Sequence, residues 1–145
     1  MKIIVGSDHA GFNFKEMILA CLDEHGHTVS DAGPEDKSSC DYPDYAFKVA
    51  RAVANGQFDR GVLICGTGLG MSYAANRVKG VRAALCMNEY QARMSRAHNN
   101  ANILVLGERA VGPDVALSML EVWLETEFEG GRHQRRVELF DQVDG

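Results

Sequence analysis

Short apolar segments alternate with stretches of helical periodicity along the whole chain. Four of the five apolar segments are nearly continuous, which is typical of parallel strands covered on both faces. Parallel neighbours need a crossover connection, and right-handed helical crossovers place helices on both faces of a sheet. The strands are predicted at 3–5, 28–32, 62–65, 81–87 and 103–106.

These elements predict one α/β domain over residues 1–145. Its core is a doubly wound, Rossmann-like, five-stranded parallel sheet with helices on both faces and a further C-terminal helix. Local signals agree: Pro43 suits a first helical turn, Asn88 and Gln91 form a capping-box pattern, and Gly112-Pro113 opens another helix. In such sheets, ligands bind beyond the carboxyl ends of the strands.

Composition excludes several classes of protein. A net charge of −5 argues against binding nucleic acid by phosphate neutralisation. No run of about 18 apolar residues could span a membrane, and the first residues turn polar too soon for a signal peptide. The four cysteines form no Cys-x-x-Cys pair, so they indicate neither a metal site nor a redox motif. These features predict a cytoplasmic protein.

The segment Cys65-Gly66-Thr67-Gly68-Leu69-Gly70 follows the third strand and precedes a helix predicted over 71–78. Its glycines permit a tight turn and can leave backbone N–H groups free to face a ligand. Position 71 is Met, so the spacing of the dinucleotide fingerprint is absent, and no P-loop lysine follows. The loop is either a tight turn without a ligand or a bed of amides, from Gly66 to Gly70, for a small anion.

Cys65 stands at the edge of that loop, where a helix N-terminus favours a thiolate. It is therefore our candidate catalytic thiol. Cys21 and Cys86 occupy apolar positions typical of packing, and Cys40 falls in a loop with no assigned role.

Two histidines are further candidates. His9, in Ser7-Asp8-His9-Ala10-Gly11, follows the first strand at the expected ligand edge, where His9 could meet a phosphate and Asp8 a sugar hydroxyl. The alternative for this loop is ordinary polar surface. His98 ends the fourth helix, where it either caps the helix or moves a proton, and the residues alone leave both open.

Three arginines lie at the start of the final helix, which is predicted from about His133. Arg132 and Arg136 are four residues apart and share a helix face, and guanidinium forks suit phosphate. Arg135 points elsewhere. The alternative is a solvated face that offsets nearby glutamates. Together with the thiol, the histidines and the amides, these arginines suit a small phosphorylated ligand and proton abstraction beside a carbonyl through an enediolate.

The chain resembles the type B ribose-5-phosphate isomerases, whose wider family includes the galactose-6-phosphate isomerase subunits. The resemblance runs from the first strand to the final helix, with the motifs in the same order. They are Ser7-Asp8-His9-Ala10-Gly11, Asp41-Tyr42-Pro43, Ile64-Cys65-Gly66-Thr67-Gly68-x-Gly70, Ala74-Ala75-Asn76, His98-Asn99 and Gly130-Gly131-Arg132-His133-Gln134-x-Arg136.

The resemblance implies a role for each matched residue. Cys65 is expected to move a proton between C1 and C2 with help from Thr67, and His98 to open the sugar ring. The residues expected to bind substrate are Asp8, Tyr42 and Asn99 on the sugar, His9, Arg109, Arg132 and Arg136 on the phosphate, and Gly66, Gly68 and Gly70 on the enediolate. Another branch of the family uses a glutamate where this chain has Met71, which agrees with a cysteine base.

The resemblance also implies no metal, no organic cofactor, and homodimers or dimers of dimers with active sites shared between subunits. The expected reaction converts ribose 5-phosphate to ribulose 5-phosphate, an aldose–ketose isomerisation of the pentose phosphate pathway. Alternatives are allose 6-phosphate, galactose 6-phosphate or a tetrose phosphate as substrate, or a non-catalytic phosphosugar-binding partner subunit. A flavodoxin-like or receiver-like signalling module fits poorly, since Cys65 stands where a receiver needs aspartate.

Overall fold

The computed structural model of this protein describes residues 1–143, so positions 144 and 145 of the predicted domain lie outside the described residues. Within that range, five strands form one parallel sheet in the order β2-β1-β3-β5-β4, which confirms the predicted α/β class. The strands are β1 Lys2–Ser7, β2 Thr28–Asp31, β3 Arg60–Cys65, β4 Ala83–Leu85 and β5 Ile103–Gly107.

Helices cover both faces of the sheet. They are α1 Phe12–Glu24, α2 Tyr42–Ala54, α3 Leu69–Ala75, α4 Glu89–Ala97, α5 Pro113–Glu125 and α6 Arg132–Asp141, with a single 3-10 turn at His9–Gly11. No helix within residues 1–143 is long and apolar enough to cross a membrane.

Alternate residues of each strand serve different faces, because side chains along a strand point up and down in turn. Ile3 and Val5 pack against α1, α4 and α5, whereas Ile4 packs against α2 and α3. The central strand β3 follows the same rule, with Ile64 on the first face and Leu63 on the second. Both faces are apolar, which explains the unbroken apolar runs in the sequence.

Several boundaries differ from the sequence prediction, and Asn76 accounts for two of them, the end of α3 and the start of β4. α3 ends at Ala75 rather than 78, and β4 spans Ala83–Leu85 rather than 81–87. The amide of Asn76 donates to the Ser72 carbonyl at the helix end, and it also donates to and accepts from the Ala83 backbone at 3.0 and 2.9 Å. One side chain thus satisfies a carbonyl at the end of α3. It also pairs with the backbone N–H and carbonyl of Ala83, the first residue of β4.

The capping pattern before α4 is confirmed with a shift of one residue. Asn88 Oδ1 accepts from the Gln91 N–H at 2.8 Å, as the pattern predicts. The reciprocal bond runs from the Met87 N–H to Gln91 Oε1 at 2.7 Å rather than from Asn88. Pro43 lies in the first turn of α2 and Pro113 in that of α5, both as predicted.

Candidate active site

Cys65 is the last residue of the central strand β3 and is 5% exposed. Its Sγ accepts a hydrogen bond from the Gly68 N–H at 3.1 Å, within the turn that leads into α3. Cys65 therefore sits at the carboxyl end of the sheet with a polar partner, not in a purely apolar setting.

The glycine loop is a rigid turn whose donors are partly used by the loop itself. Gly68 has φ +84°, and a Cβ there would collide with Leu85, so only glycine fits. The Leu69 N–H donates to Thr67 Oγ1 at 3.2 Å, and the Gly68 N–H is held by the sulfur. The expected bed of amides is accordingly narrower than the sequence suggested, because two of its donors orient the catalytic candidates Cys65 and Thr67.

Neighbouring loops close on this turn from both sides. The Tyr42 ring stands over Gly70, where an added Cβ would lie 2.6 Å from Cζ. Arg109 reaches over Gly66, with Nη1 3.4 Å from the position of a Cβ there, and its own N–H donates to the Gly66 carbonyl at 2.9 Å. The predicted substrate residues Tyr42 and Arg109 therefore gather around the cysteine loop in a single chain.

Asp8 and His9 lie in the next loop, which approaches β3 closely. The Asp8 N–H donates to the Ile64 carbonyl at 3.2 Å, and Asp8 Oδ1 accepts from the N–H groups of Ala10 and Gly11. Gly11 permits the approach, since a Cβ there would lie 2.6 Å from the Ile64 oxygen. Asp8 is thus buried and held in place by its own 3-10 turn.

His9 has a partner that the sequence did not indicate. The Cys40 N–H donates to His9 Nδ1 at 3.3 Å. A neutral imidazole that accepts at Nδ1 carries its proton on Nε2. Cys40, which had no assigned role, therefore sets His9 to present an N–H donor, the form that suits a phosphate oxygen. We call Asp8, His9, Tyr42, Cys65–Gly70 and Arg109 the carboxyl-edge cluster.

The remaining predicted site residues lie at the opposite edge of the sheet. His98 follows α4, and the chain then enters β5 at Ile103, at the amino end of the strands. Gly61 pairs with Ile103 and Cys65 with Gly107, so four residue steps, about 13 Å of strand, separate the two edges. Within one chain, the structure does not bring His98 to Cys65.

Several contacts fix this amino edge. Arg60, the first residue of β3, donates to the Trp123 and Leu124 carbonyls at 3.1 and 3.3 Å. Arg96 is 7% exposed; it donates to the carbonyls of Ala101 and Thr126 at 2.6 and 3.2 Å. Burial and the neighbouring arginines lower the pKa of Arg96 to about 10. Sequence reasoning missed Arg96, because nothing in its spacing distinguishes a buried clamp from a surface arginine.

His98 stacks on His133, with ring centroids 4.2 Å apart and planes 9° apart. The Glu129 carboxylate faces both rings, with Oε2 3.9 Å from His98 Nε2 and Oε1 3.6 Å from His133 Nε2. Arg132 and Arg136 lie close enough to lower the pKa of His133, after burial and His98. We call His98, Asn99, Glu129, Arg132, His133 and Arg136 the amino-edge cluster.

Two imidazoles and a carboxylate are a possible ligand set for a metal ion, and the ligand atoms of this group lie within 4.8 Å of one another. Their orientation does not suit one. An imidazole lone pair lies in the ring plane, so an ion shared by two rings must lie near both planes, whereas these rings are stacked face to face with nearly parallel planes. The stack is arranged for holding a ring rather than for coordinating an ion.

A cavity of about 440 Å³ lies beside the amino-edge cluster, and Asn99 is the one member of the cluster that lines it. Asn99, Arg82, Phe140 and Asp141 are among its lining residues, and Cys65 is not. Arg82 Nη1 bonds Asp141 at 3.2 Å, which ties the end of α6 to this edge. The structure thus places the candidate thiol and the candidate histidine at opposite edges of the sheet.

Comparison with known proteins identifies the family. The sequence profile of the ribose/galactose isomerase family matches residues 3–140. The chain belongs to this family. As a family member it is an isomerase that interconverts aldose and ketose forms of phosphorylated sugars.

Individual relatives of this ribose/galactose isomerase match over almost their whole length. The ribose-5-phosphate isomerase B of Clostridium thermocellum superposes with a TM-score of 0.98 at 55% identity, covering 99% of this chain and 97% of that one. The ribose-5-phosphate isomerase B of Escherichia coli is 48% identical over 143 residues, 99% of this chain and 96% of the relative. The D-erythrulose-4-phosphate isomerase of Pectobacterium atrosepticum is 41% identical over 140 residues, 95% and 91% of the two chains.

Proposed function

We propose that this isomerase interconverts ribose 5-phosphate and ribulose 5-phosphate, with Cys65 as the base that moves the proton between C2 and C1. The observation that carries the proposal is the bond from the Gly68 N–H to Cys65 Sγ at the carboxyl end of β3. This bond holds the sulfur at the edge where a parallel sheet binds ligands. The relatives named ribose-5-phosphate isomerase B support the choice of pentose.

The chemistry follows from that geometry. The thiolate takes the proton from C2 of the open-chain aldose, and the electron pair of the C–H bond forms the C1=C2 double bond as charge moves onto O1. The enediol then takes the proton back at C1, while the O2 hydroxyl proton moves to O1, and C2 becomes the ketone carbon. The Thr67 hydroxyl, in the turn that follows Cys65, accepts from the Leu69 N–H, so its own O–H can donate to an enediolate oxygen.

The functional site is completed by a second copy of the chain. One protomer holds Cys65, His9 and Arg109 at one edge, and His98, Arg132 and Arg136 at the other, separated by the length of the strands. An isologous pairing lets each copy place its amino-edge cluster at the thiol of the other. Exposed aromatic side chains on α3 and α4, Tyr73 and Tyr90, offer apolar surface for such contact. We therefore propose a homodimer, or a dimer of such dimers, with shared active sites.

A tetrose phosphate is the second candidate substrate, and the similarity to the D-erythrulose-4-phosphate isomerase favours it. The span between the thiol and the phosphate-binding side chains sets the length of the sugar. A panel of aldose phosphates with four, five and six carbons, assayed for ketose formation, decides between the candidates. Highest kcat/KM for ribose 5-phosphate is expected, and a preference for the tetrose would replace the proposed substrate.

Cys65→Ala tests the proposed base. We expect kcat to fall about 1000-fold or more, while circular dichroism and phosphosugar binding stay unchanged. Cys21→Ala, which removes a half-buried thiol from α1, is the matched control and should keep full activity. Undiminished turnover of Cys65→Ala would refute the assignment. Phosphosugar binding by the wild-type protein without turnover would point instead to a non-catalytic partner subunit.

A further inference from the structure

The stack of His98 and His133 holds the plane of a ring that would otherwise be free to turn. His98 follows the last residue of α4, and its side chain is 38% exposed. A half-exposed imidazole at a helix end has several accessible rotamers. The His133 ring, nearly buried at the start of α6, covers one face of His98 at 4.2 Å and leaves the other face open.

Glu129 is held against the same helix end by its backbone. The Glu129 N–H donates to the carbonyl of Ala97, the residue before His98, at 3.0 Å. This bond sets the carboxylate beside both Nε2 atoms, at the 3.6 and 3.9 Å typical of ion pairs rather than hydrogen bonds. A lone pair facing a carboxylate would be repelled, so the proton of neutral His98 belongs on Nε2 and the lone pair on Nδ1.

His133 is an uncharged ring that packs against one face of His98 in this arrangement. Burial is the largest cause that lowers its pKa, followed by His98 and Arg132. Its ring therefore takes a proton less readily near neutral pH than an ordinary histidine does. The Glu129 carboxylate faces His98 Nε2 at 3.9 Å, so it orients the ring through the nitrogen that is not Nδ1.

We propose that Glu129 and His133 are positioning residues for the ring-opening histidine, fixing the plane of His98 and directing Nδ1 toward the sugar. The inference rests on the proposed function, in which His98 opens the furanose form of ribose 5-phosphate. Nδ1 takes the proton of the O1 hydroxyl, the O1–H electron pair forms the C1=O1 double bond, and the C1–O4 bond breaks. O4 takes the electron pair and then the proton from the imidazolium, so no other reactant is needed.

The experiment separates ring opening from proton transfer in the assembled enzyme. Ribulose 5-phosphate cannot close a furanose ring, since its C5 hydroxyl carries the phosphate. Exchange of its C1 proton with D2O, followed by NMR, therefore reports the Cys65 step alone. Turnover of ribose 5-phosphate requires ring opening as well. A residue that only stabilises the fold would change both rates together, whereas a positioning residue for His98 changes one.

For Glu129→Gln we expect about a tenfold lower kcat/KM on ribose 5-phosphate, with the D2O exchange rate unchanged. Glu127→Gln, an exposed glutamate in the same connection, is the matched control and should alter neither rate. His133→Ala should show the same split as Glu129→Gln, and His133→Phe, which keeps a flat ring in the stack, should restore most of the turnover.

Three results would overturn the inference: unchanged turnover in both Glu129→Gln and His133→Ala, an equal loss of turnover and exchange, or no rescue by His133→Phe. Failure of the proposed function looks different, because wild-type protein would then neither turn over ribose 5-phosphate nor exchange the proton of ribulose 5-phosphate. A variant that fails to fold is identified by its circular dichroism, and the Glu129→Gln arm then decides, since Glu129 is 57% exposed.

Discussion

The two clusters are built in different ways. In the carboxyl-edge cluster, the backbone sets the positions: Cys65 ends a fully buried strand, and the Gly68 N–H and the Leu69 N–H hold its sulfur and the Thr67 hydroxyl. In the amino-edge cluster, side chains do this work, with Arg96 clamping a loop and His133 stacking on His98. The thiol is therefore held by the sheet, whereas the histidine depends on a few replaceable contacts.

The largest effect expected from this comparison is restoration of activity by mixing two inactive variants. Cys65→Ala lacks the proposed base, and His98→Asn lacks the proposed ring-opening histidine. If each site combines the two edges of different copies, a mixed dimer has one intact site of two. Unfolding and refolding an equimolar mixture should yield about a quarter of the wild-type turnover of ribose 5-phosphate, from nearly none.

The control for this experiment is each variant refolded alone, which should stay inactive. A second control mixes Cys65→Ala with Thr67→Ala, two changes in the same cluster, and random pairing of these gives no site with both residues intact. Activity of the first mixture no higher than that of its components would contradict shared sites. It would leave the proposed chemistry of Cys65 to be judged by its own variant.

Sequence reasoning located the carboxyl-edge cluster well, because residues that follow parallel strands meet at one edge whatever the details of packing. Cys65 ends a strand, Asp8 and Arg109 follow strands, and the structure gathers all three at one edge. The same topology places His98 on the far side, since it precedes β5. No sequence feature predicted the contact between Glu129 and His98. The path of the chain between α5 and α6 depends on the backbone hydrogen bond from Glu129 to Ala97, which no pattern of residues indicates.

Arg96→Met tests whether the amino-edge cluster depends on its clamp. The change leaves the carbonyls of Thr126 and Ala101 and the Asn100 side chain without their donor. Each buried acceptor without a partner is costly, so the free energy of unfolding should fall by about 3 kcal/mol in urea titration. Arg93→Met, an exposed arginine on the same helix, should change it by less than about 0.5 kcal/mol. Equal effects of the two changes on the free energy of unfolding would show that the hydrogen bonds of Arg96 do not stabilise the amino-edge cluster.

A comparison of Arg136 with Arg135 tests which arginine of α6 binds the phosphate. Both are exposed on α6, but only Arg136 lies close enough to His133 to lower the pKa of that ring. We expect Arg136→Gln to raise KM for ribose 5-phosphate about tenfold with kcat little changed, because a charge-assisted bond to phosphate is lost. Arg135→Gln removes the same charge and should leave KM unchanged. Equal rises in KM would indicate general electrostatic attraction instead of a direct hydrogen bond to the phosphate.

The smallest expected effect is on the pH dependence of stability. It follows from a comparison of two thiols near the carboxyl edge. Cys65 Sγ accepts from an N–H, whereas the Cys86 thiol donates to the Ala84 carbonyl at 3.6 Å and is 1% exposed. Burial raises the pKa of Cys86 from 9.0 to about 11, so the native state keeps a proton that the unfolded chain loses above pH 9. The stabilisation is therefore complete below pH 9 and is lost as pH rises toward 11.

Between pH 8 and pH 10, the stability of the wild type relative to Cys86→Ala should fall by about 1 kcal/mol in urea titration. A relative stability that stays constant with pH would mean that Cys86 ionises as readily in the native state as in the unfolded chain.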